Sequence, residues 1–436
     1  MFSKLIILLA VPALTFAQQP TVLQDTIFHP ISVTEAVKLA QQNNPAAITA
    51  ANQIRSSENQ VRQARAAFLP SLTTSLSQGK SAGQRLGQSG QLVDYTAAWT
   101  YGLSVNSSVT LFDGGKMFAD IKTQRANVDA AEAGETTTQF SLAQQVKTQY
   151  NLILAARESD AAARAQLELA QQQLATSIAK VNAGAATVSD SLRNVVAVGN
   201  AQIAILNAQQ TFRTASAGLT RLVGTPFLVT AVASDTIDLP IRPIDSAAVV
   251  QLALNGPTIR QAQAQILSAS AAERGAKAAY LPTITGGLTF SGNGTDPYGL
   301  GPNPFPYSRG VSLGLNYPIF NRFQRENAVA TAQINVDNAE ANLKDQRLLA
   351  QQNILTQIGT LRNAEEQIRV QLLNVRANEE DLRVNQQRYA IGAGLMLDVL
   401  TSQSNLVSAR QQLIQQRLNY RNARAQIESI IGRDLP

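Results

Sequence analysis

Two acidic residues, each six positions after a glycine, are the first candidates for a functional site. Asp190 follows Gly184 and Asp398 follows Gly392, and the two pairs lie 208 residues apart in the chain. Gly394 belongs to the second of these turns. A turn that recurs with an acid behind it predicts helix-hairpin tips that are repeated around an axis. Asp at the start of a helix is also an ordinary structural choice, because the helix dipole favours a negative charge there.

Residues for catalysis are scarce. The chain has one histidine, His29, and no cysteine. A disulfide and a thiolate metal site are therefore excluded, and a Ser-His-Asp arrangement would have only His29 available. The stretch Asp113-Gly114-Gly115-Lys116 lacks the spacing of a phosphate-binding P-loop. It predicts a strand-to-helix turn with Asp113 as a helix N-cap. We expect no enzyme activity, no cofactor and no metal.

The composition favours long helices over large globular cores. Aromatic residues make up 5% of the 436 residues, and Gln, Ala and Asn fill much of the chain. Small side chains can pack long helices together, but they fill a large core poorly. The formal charge of +6 is spread along the chain without a basic cluster, so nucleic-acid binding is not expected.

The N-terminus predicts export. Residues 1–17 read as a signal peptide, with an apolar run from Leu5 to Phe16 and a small-residue cleavage site that ends at Ala17. The alternative, a membrane anchor, is weaker because a spanning helix needs about 20 apolar residues. A polar lead, residues 18–30, follows.

Two parts of the chain share one order of motifs. Pro45 and Pro257 lie 212 residues apart, whereas Phe112 and Phe320 lie 208 apart. Such offsets predict an internal duplication with a length change in the segment between. We place the repeats at 31–224 and 245–432, with a linker or equatorial segment at 225–244 and a tail at 433–436.

Each repeat is predicted to contain one long β-hairpin, at residues 71–112 and 283–320. Apolar residues alternate with small or polar ones from Leu103 to Leu111 and from Val311 to Ile319, which is the pattern of half-buried strands. Gly-, Ser- and Pro-rich stretches at 79–91 and 292–308 predict the loops between the strands.

Each hairpin is predicted to lead into a helix of great length. Residues 114–182 and 322–390 contain no proline, and at 1.5 Å per residue each run would reach about 100 Å. In the second run apolar residues recur every seven positions from Ile354 to Tyr389, which predicts supercoiled helix packing. Shorter helices, 188–222 and 397–431, return after the glycine turns.

Four strands cannot close a barrel, since small barrels need about eight strands. A lipid-exposed sheet must close, because an open edge leaves amides unpaired in hydrocarbon. Several chains would therefore have to share one barrel. Aromatic residues recur at the strand bases, as an interfacial girdle would require, although they could also fill helix–strand corners of a soluble protein: Phe68, Phe112, Tyr280 and Phe320.

The whole set resembles the TolC family of outer-membrane efflux proteins. The resemblance rests on the signal peptide, Phe68-Leu69-Pro70, the hairpin, Leu111-Phe112-Asp113-Gly114-Gly115, the long helix and the glycine turn, most of them present twice. It implies a mixed α/β membrane protein: a homotrimer with a 12-stranded β-barrel, four strands per chain, continued by a 12-helix α-barrel. It also implies outer-membrane lipid around the barrel of a Gram-negative bacterium, and a tube that extends into the periplasm. The partners it implies are a periplasmic adaptor (membrane fusion) protein and an inner-membrane pump of RND, ABC or MFS type.

The resemblance assigns the helix tips to a periplasmic gate. Asp398 matches an acid that in three copies would form a ring favouring cations, whereas Thr401 replaces the family's second acid. Gly394 occupies the position at which a member of the family has an arginine that helps lock the closed state. Tyr389 and Asp190 match gate contacts, although Tyr389 also ends the seven-residue series and could simply pack in the core. Such a protein would be a passive exit duct for efflux or type I secretion; the alternative is a soluble periplasmic coiled-coil scaffold or adaptor.

Overall fold

Two helices of 67 residues each set the length of the molecule. The computed structural model describes residues 28–238, 245–299 and 305–435. The predicted signal peptide, most of the lead and residues 239–244 of the linker lie outside these ranges. The helices are α1 (Val33–Asn43), α2 (Pro45–Ala66), α3 (Lys116–Asn182), α4 (Val188–Val223), α5 (Ser246–Ala253), α6 (Pro257–Lys277), α7 (Gln324–Ala390) and α8 (Met396–Ile431). The strands are β1 (His29–Ile31), β2 (Ser71–Gly79), β3 (Ala82–Leu86), β4 (Leu92–Thr96), β5 (Thr100–Phe112), β6 (Val229–Ala231), β7 (Thr283–Gly294) and β8 (Tyr307–Asn316).

The long helices pack as antiparallel pairs, α3 with α4 and α7 with α8. The seven-residue series of α7 forms the contact with α8, and Ile354, Leu361 and Leu382 are buried there. A side chain every seventh residue stays on one face of the helix only if the pair is supercoiled, as the sequence predicts. No helix in the described ranges is both long enough and apolar enough to cross a membrane.

The helix before the first hairpin is broken at Asn44. Pro45 lacks the N–H that a helix interior needs, so it begins α2 at a position where that loss costs nothing. The Asn44 side chain accepts from Ala46 N at 2.9 Å and donates to Leu222 O at 2.8 Å. One residue thus caps α2 and ties it to the end of α4.

The strands of the two hairpins form one antiparallel sheet in the order β2-β5-β7-β8. Ser75, Ser104, Ser291 and Ser308 face one another across all four strands. Their hydroxyls bond in pairs, at 2.7 Å between Ser75 and Ser104 and 2.8 Å between Ser291 and Ser308. Within the chain, β2 and β8 each pair on one side only, so the sheet ends in two edges.

The sheet has two chemically different faces. Because opposite residues in register point to the same side, the pairing sorts the side chains of all four strands. One face, the hydroxyl face, consists of Ser, Thr, Asn and Gly; the other, the apolar face, is dominated by Leu, Val, Phe and Tyr. The hydroxyl face holds residues 71, 73, 75, 77, 79, 100, 102, 104, 106, 108, 110, 283, 285, 287, 289, 291, 293, 308, 310, 312, 314 and 316.

The loop expected at 79–91 contains β3, and β4 follows directly after it. β3 and β4 form a separate two-stranded sheet that extends the first hairpin, with Gly87 and Gly90 at the turn. The side chains of this ribbon show little of the alternation that reveals a half-buried strand in a sequence. In the second hairpin β8 ends at Asn316, two residues before Pro318, which cannot donate to a strand ladder.

The best-buried core lies near the middle of α3. There β1 and β6 form a short parallel pair against α1, α3 and α4. Tyr150 is buried, and its hydroxyl accepts from Val232 N at 3.2 Å and bonds Asp235 and Ile31 O. Arg157 donates to Val232 O at 2.8 Å, and Arg421 donates to Thr236 O at 2.5 Å. The segment after β6 is therefore fixed to both α3 and α8.

Candidate functional site at the paired helix turns

The two glycine turns adopt the same geometry. Gly184 and Gly392 have φ angles of 73° and 76°, in the left-handed region that glycine enters without a steric penalty. Ala185 N donates to Lys180 O and Ala393 N donates to Arg388 O, each at 2.8 Å. These bonds span six residues, the Schellman pattern that ends a helix and reverses the chain.

Both predicted acids lie at the start of the returning helices. The Asp190 side chain accepts from the Thr187 hydroxyl at 3.0 Å and from Thr187 N at 3.3 Å, while Asp190 N donates back to the hydroxyl. This is a reciprocal capping box at the start of α4. Asp398 makes a longer bond, in which its Oδ2 accepts from Leu395 N at 3.4 Å. Asp398 is therefore held less tightly than Asp190.

Tyr389 lies at the end of α7, half-buried between the two turns. In the described part of the chain its hydroxyl oxygen is buried without a hydrogen-bond partner. Burial raises the pKa of the Tyr389 hydroxyl, and the nearby negative charge of Asp190 raises it further. The two residues predicted to touch therefore share one site, and Asp190 acts on Tyr389 through its charge.

Lys180 is the residue at this site that sequence reasoning missed. Its Nζ lies 4.1 Å from the centroid of the Tyr389 ring and donates to Tyr389 O at 2.7 Å. A cation at this place satisfies a carbonyl at the end of α7 and interacts favourably with the negative end of the helix dipole. Lys180 itself belongs to the last turn of α3. Its position in that last turn was a visible signal, but the sequence does not show that it reaches the other helix.

A cavity of ≈ 320 Å³ lies between the turns. It is lined by Lys180, Thr187, Asp190, Arg193, Tyr389 and Leu395, with Gly392 and Gly394 at its edge. Asp398 is not among the residues that line the cavity. Within one chain, therefore, the structure brings Tyr389 and Asp190 to one cavity and leaves Asp398 outside its lining.

The four predicted interfacial aromatics lie at the base of the sheet, where strands meet helices, and all are exposed. Phe68 packs edge-on against Phe118, with ring centroids 5.1 Å apart. Arg325 stacks its guanidinium 4.4 Å from the Tyr280 ring centroid. Phe320 contacts Phe323 at 5.7 Å, and Phe112 ends β5.

A sequence model of the outer membrane efflux protein family matches this chain twice, over residues 36–225 and 248–433. The chain belongs to the outer membrane efflux protein family. Its similarity to the CyaE protein of Bordetella pertussis is 28% identity over 394 residues, 87% of this chain and 80% of that protein. The pyoverdine export outer membrane protein OpmQ of Pseudomonas putida is 24% identical over 409 residues, 91% of this chain and 85% of the relative. The crystal structure of the outer membrane protein VceC from Vibrio cholerae superposes with a TM-score of 0.76 at 17% identity, covering 93% of this chain and 97% of VceC.

Family membership confirms the resemblance to TolC-type efflux proteins. This efflux protein lies in the outer membrane and serves as an exit duct, which excludes the soluble scaffold or adaptor. It belongs to a family of ducts and is not an enzyme.

Proposed function

We propose that three copies of this chain form one outer-membrane duct, with a 12-stranded β-barrel above a 12-helix tube. The observation that carries the proposal is the two-faced sheet with its two edges. An apolar outer face and a hydroxyl inner face are what a barrel between lipid and water requires. Three sheets joined β8 to β2 would leave no edge unpaired, and twelve strands meet the minimum for a closed barrel.

The helical part supports the same assembly. The first part of α4, which follows the glycine turn, carries apolar side chains that the single chain leaves exposed: Leu192, Val195, Val196, Ile203 and Leu206. Water contact over so many large apolar groups along one helix is unfavourable, and burial against a neighbour removes it. We place a neighbouring chain against α4 within the tube.

We propose that the exposed aromatics at the base of the sheet form the periplasm-side interfacial girdle. Their position, where the apolar face meets the long helices, matches the level at which aromatic rings favour the boundary of a bilayer. Phe68 precedes β2 and Phe112 ends β5, whereas Tyr280 precedes β7 and Phe320 follows β8.

The helix turns then ring the periplasmic entrance, with six turns from three chains. Three Asp398 carboxylates near one axis attract cations, and such a ring makes the entrance cation-selective. Tyr389 and Asp190, which line one cavity between the two turns of a chain, contribute to the gate at this entrance. The duct supplies no energy of its own, so an inner-membrane pump of the RND, ABC or MFS type and a periplasmic adaptor complete the pathway. OpmQ is named for pyoverdine export, and we propose small-molecule export for this chain too.

Assembly and selectivity are tested together on the detergent-extracted protein. We expect an oligomer that migrates as a trimer unheated and as a monomer after boiling, and that conducts ions in planar bilayers. Asp398→Asn keeps the size of the side chain and an oxygen that can accept from Leu395 N, while it removes the charge. We expect it to lower cation preference and block by trivalent cations. Asp434→Asn, which removes an exposed carboxylate of the C-terminal tail, is the control. A soluble monomer would refute the duct, and unchanged selectivity in Asp398→Asn would remove that residue from the entrance.

A further inference from the structure

Within the four described strands of the sheet, the apolar face carries a single charged side chain, Arg309 on β8. It is exposed, and its neighbours along the strand on the same face are Tyr307 and Val311. A guanidinium with apolar groups below it and lipid beside it needs an anionic partner at the edge of the bilayer. The chemistry around Arg309 identifies that partner.

Arg309 is held by an aromatic cluster at the end of the sheet farthest from the long helices. Phe290 lies directly opposite on β7, and the Arg309 guanidinium is 5.9 Å from its ring centroid. Phe290 stacks on Tyr307 at 5.1 Å, and Tyr307 contacts Phe305 at 5.3 Å. A planar guanidinium over a ring is oriented before it meets a ligand, because fewer rotamers remain open to it.

Two glycines make room for this cluster. A Cβ at Gly292 would lie 2.6 Å from the Phe305 ring, and one at Gly294 would lie 2.8 Å from it. Phe305 is therefore buried directly against the β7 backbone. This ring, Phe290, Tyr307 and the Tyr101–Tyr298 pair form a second aromatic level, opposite the basal one.

The two aromatic levels have the spacing of a membrane. The ten residues of β8, from Tyr307 to Asn316, span about 33 Å along the strand. At the usual strand tilt this corresponds to an apolar band of roughly 25 Å. Arg309 thus lies two residues from Tyr307 along the strand, just inside the outer interface. Its long side chain can extend to the lipid headgroups.

The neighbouring strand would bring no acid to Arg309. In the proposed trimer β8 meets β2 of the next chain, whose side chains on this face are Leu72, Thr74, Leu76 and Gln78. Anionic lipid headgroups lie at this level of the barrel and offer such a partner. A guanidinium offers two parallel N–H donors that match the oxygens of a phosphate group.

We propose that Arg309 and the aromatic cluster around Phe290 form a binding site for the phosphate of an anionic lipid in the outer leaflet. The rings contact the upper part of the acyl chains, and the Arg309 guanidinium donates two hydrogen bonds to the phosphate oxygens. This inference rests on the proposed trimeric barrel, since only there does the apolar face meet lipid. The ligand class is an anionic lipid phosphate, for which bis-phosphorylated lipid A is the probe.

The test uses the full-length oligomer in detergent, titrated with bis-phosphorylated lipid A, with dephosphorylated lipid A or with inorganic phosphate. The temperature at which the oligomer dissociates reports binding. We expect bis-phosphorylated lipid A alone to raise this temperature, and Arg309→Gln to weaken the effect about tenfold in lipid concentration, as loss of one charge-assisted contact predicts. Arg309→Lys keeps the charge but loses the two parallel N–H donors, so its response to the lipid should lie between those of the wild type and Arg309→Gln.

Arg85→Gln is the matched control. Arg85 also lies 5.9 Å from a ring centroid, that of Tyr95, but on the β3–β4 ribbon outside the sheet. We expect it to bind the lipid as the wild type does. Equal protection by dephosphorylated lipid or by inorganic phosphate, or an equal loss in Arg85→Gln, would overturn the site. A wild-type oligomer that conducts but ignores the lipid refutes this inference alone, whereas a chain that never forms a conducting oligomer refutes the proposed function.

Discussion

Replacing Lys180 with Met should loosen the contact between the two helix turns of each chain. The substitution keeps most of the length of the side chain while removing the cation over the Tyr389 ring and the 2.7 Å bond to Tyr389 O. A cation–π contact near the surface contributes about 0.5–1 kcal/mol. A cation at a helix C-terminus contributes about 0.3–1 kcal/mol more. Together they amount to roughly 1–2 kcal/mol, or a 5–30-fold shift in the local opening equilibrium.

Amide hydrogen exchange measures this shift directly. We expect residues 389–394 to exchange faster in Lys180→Met by the same factor, because exchange there requires the end of α7 to open. Lys180→Arg keeps the cation and should stay near the wild type. The matched control is Arg388→Met, which removes the exposed basic side chain at the corresponding place in the last turn of α7. Unchanged exchange in Lys180→Met, or the same increase in Arg388→Met, would show that Lys180 does not join the turns.

The remaining predictions concern the middle of the molecule. Tyr150→Phe should lower the free energy of unfolding by about 1–3 kcal/mol, because Val232 N and Asp235 lose a buried partner; an unchanged thermal midpoint would contradict this. Burial lowers the pKa of Lys147, but hydrogen bonds and charges from Asp434 and Glu428 outweigh burial and raise it above 10.5. A pKa raised in the folded state means that the stabilisation is complete below pH 10.5 and is lost as the pH rises further. The stability difference between wild type and Lys147→Met should therefore disappear at high pH, and a difference that persists would refute the ion pairs.

The sequence determined the regular features, because they follow from periodicities that one strand or helix imposes. Burial every seventh residue in α7 needs only a steady supercoil, so the series from Ile354 was readable in advance. The glycine turns were equally visible, since a left-handed residue at a helix end is a local requirement. The alternation of apolar with small or polar residues in β5 and β8 predicted the hairpins, since it too is a local periodicity.

The ribbon of β3 and β4 was hidden because apolar and polar residues do not alternate along either strand, and alternation is the signal that marks a strand in a sequence. The order β2-β5-β7-β8 was also beyond the sequence. It joins β5 to β7 across about 170 intervening residues, and only the packed helices bring those strands together.

The sites show the same division. The sequence, through the family resemblance, offered Asp398, Asp190 and Tyr389 together as gate candidates. It could not show that Lys180, from the last turn of α3, reaches the end of α7. Likewise Arg309 was one of many basic residues until the register placed it opposite Phe290 on the apolar face. A side chain's type and local spacing are set by the chain itself. Its partner on a distant element depends on register and helix packing, which only the tertiary structure decides.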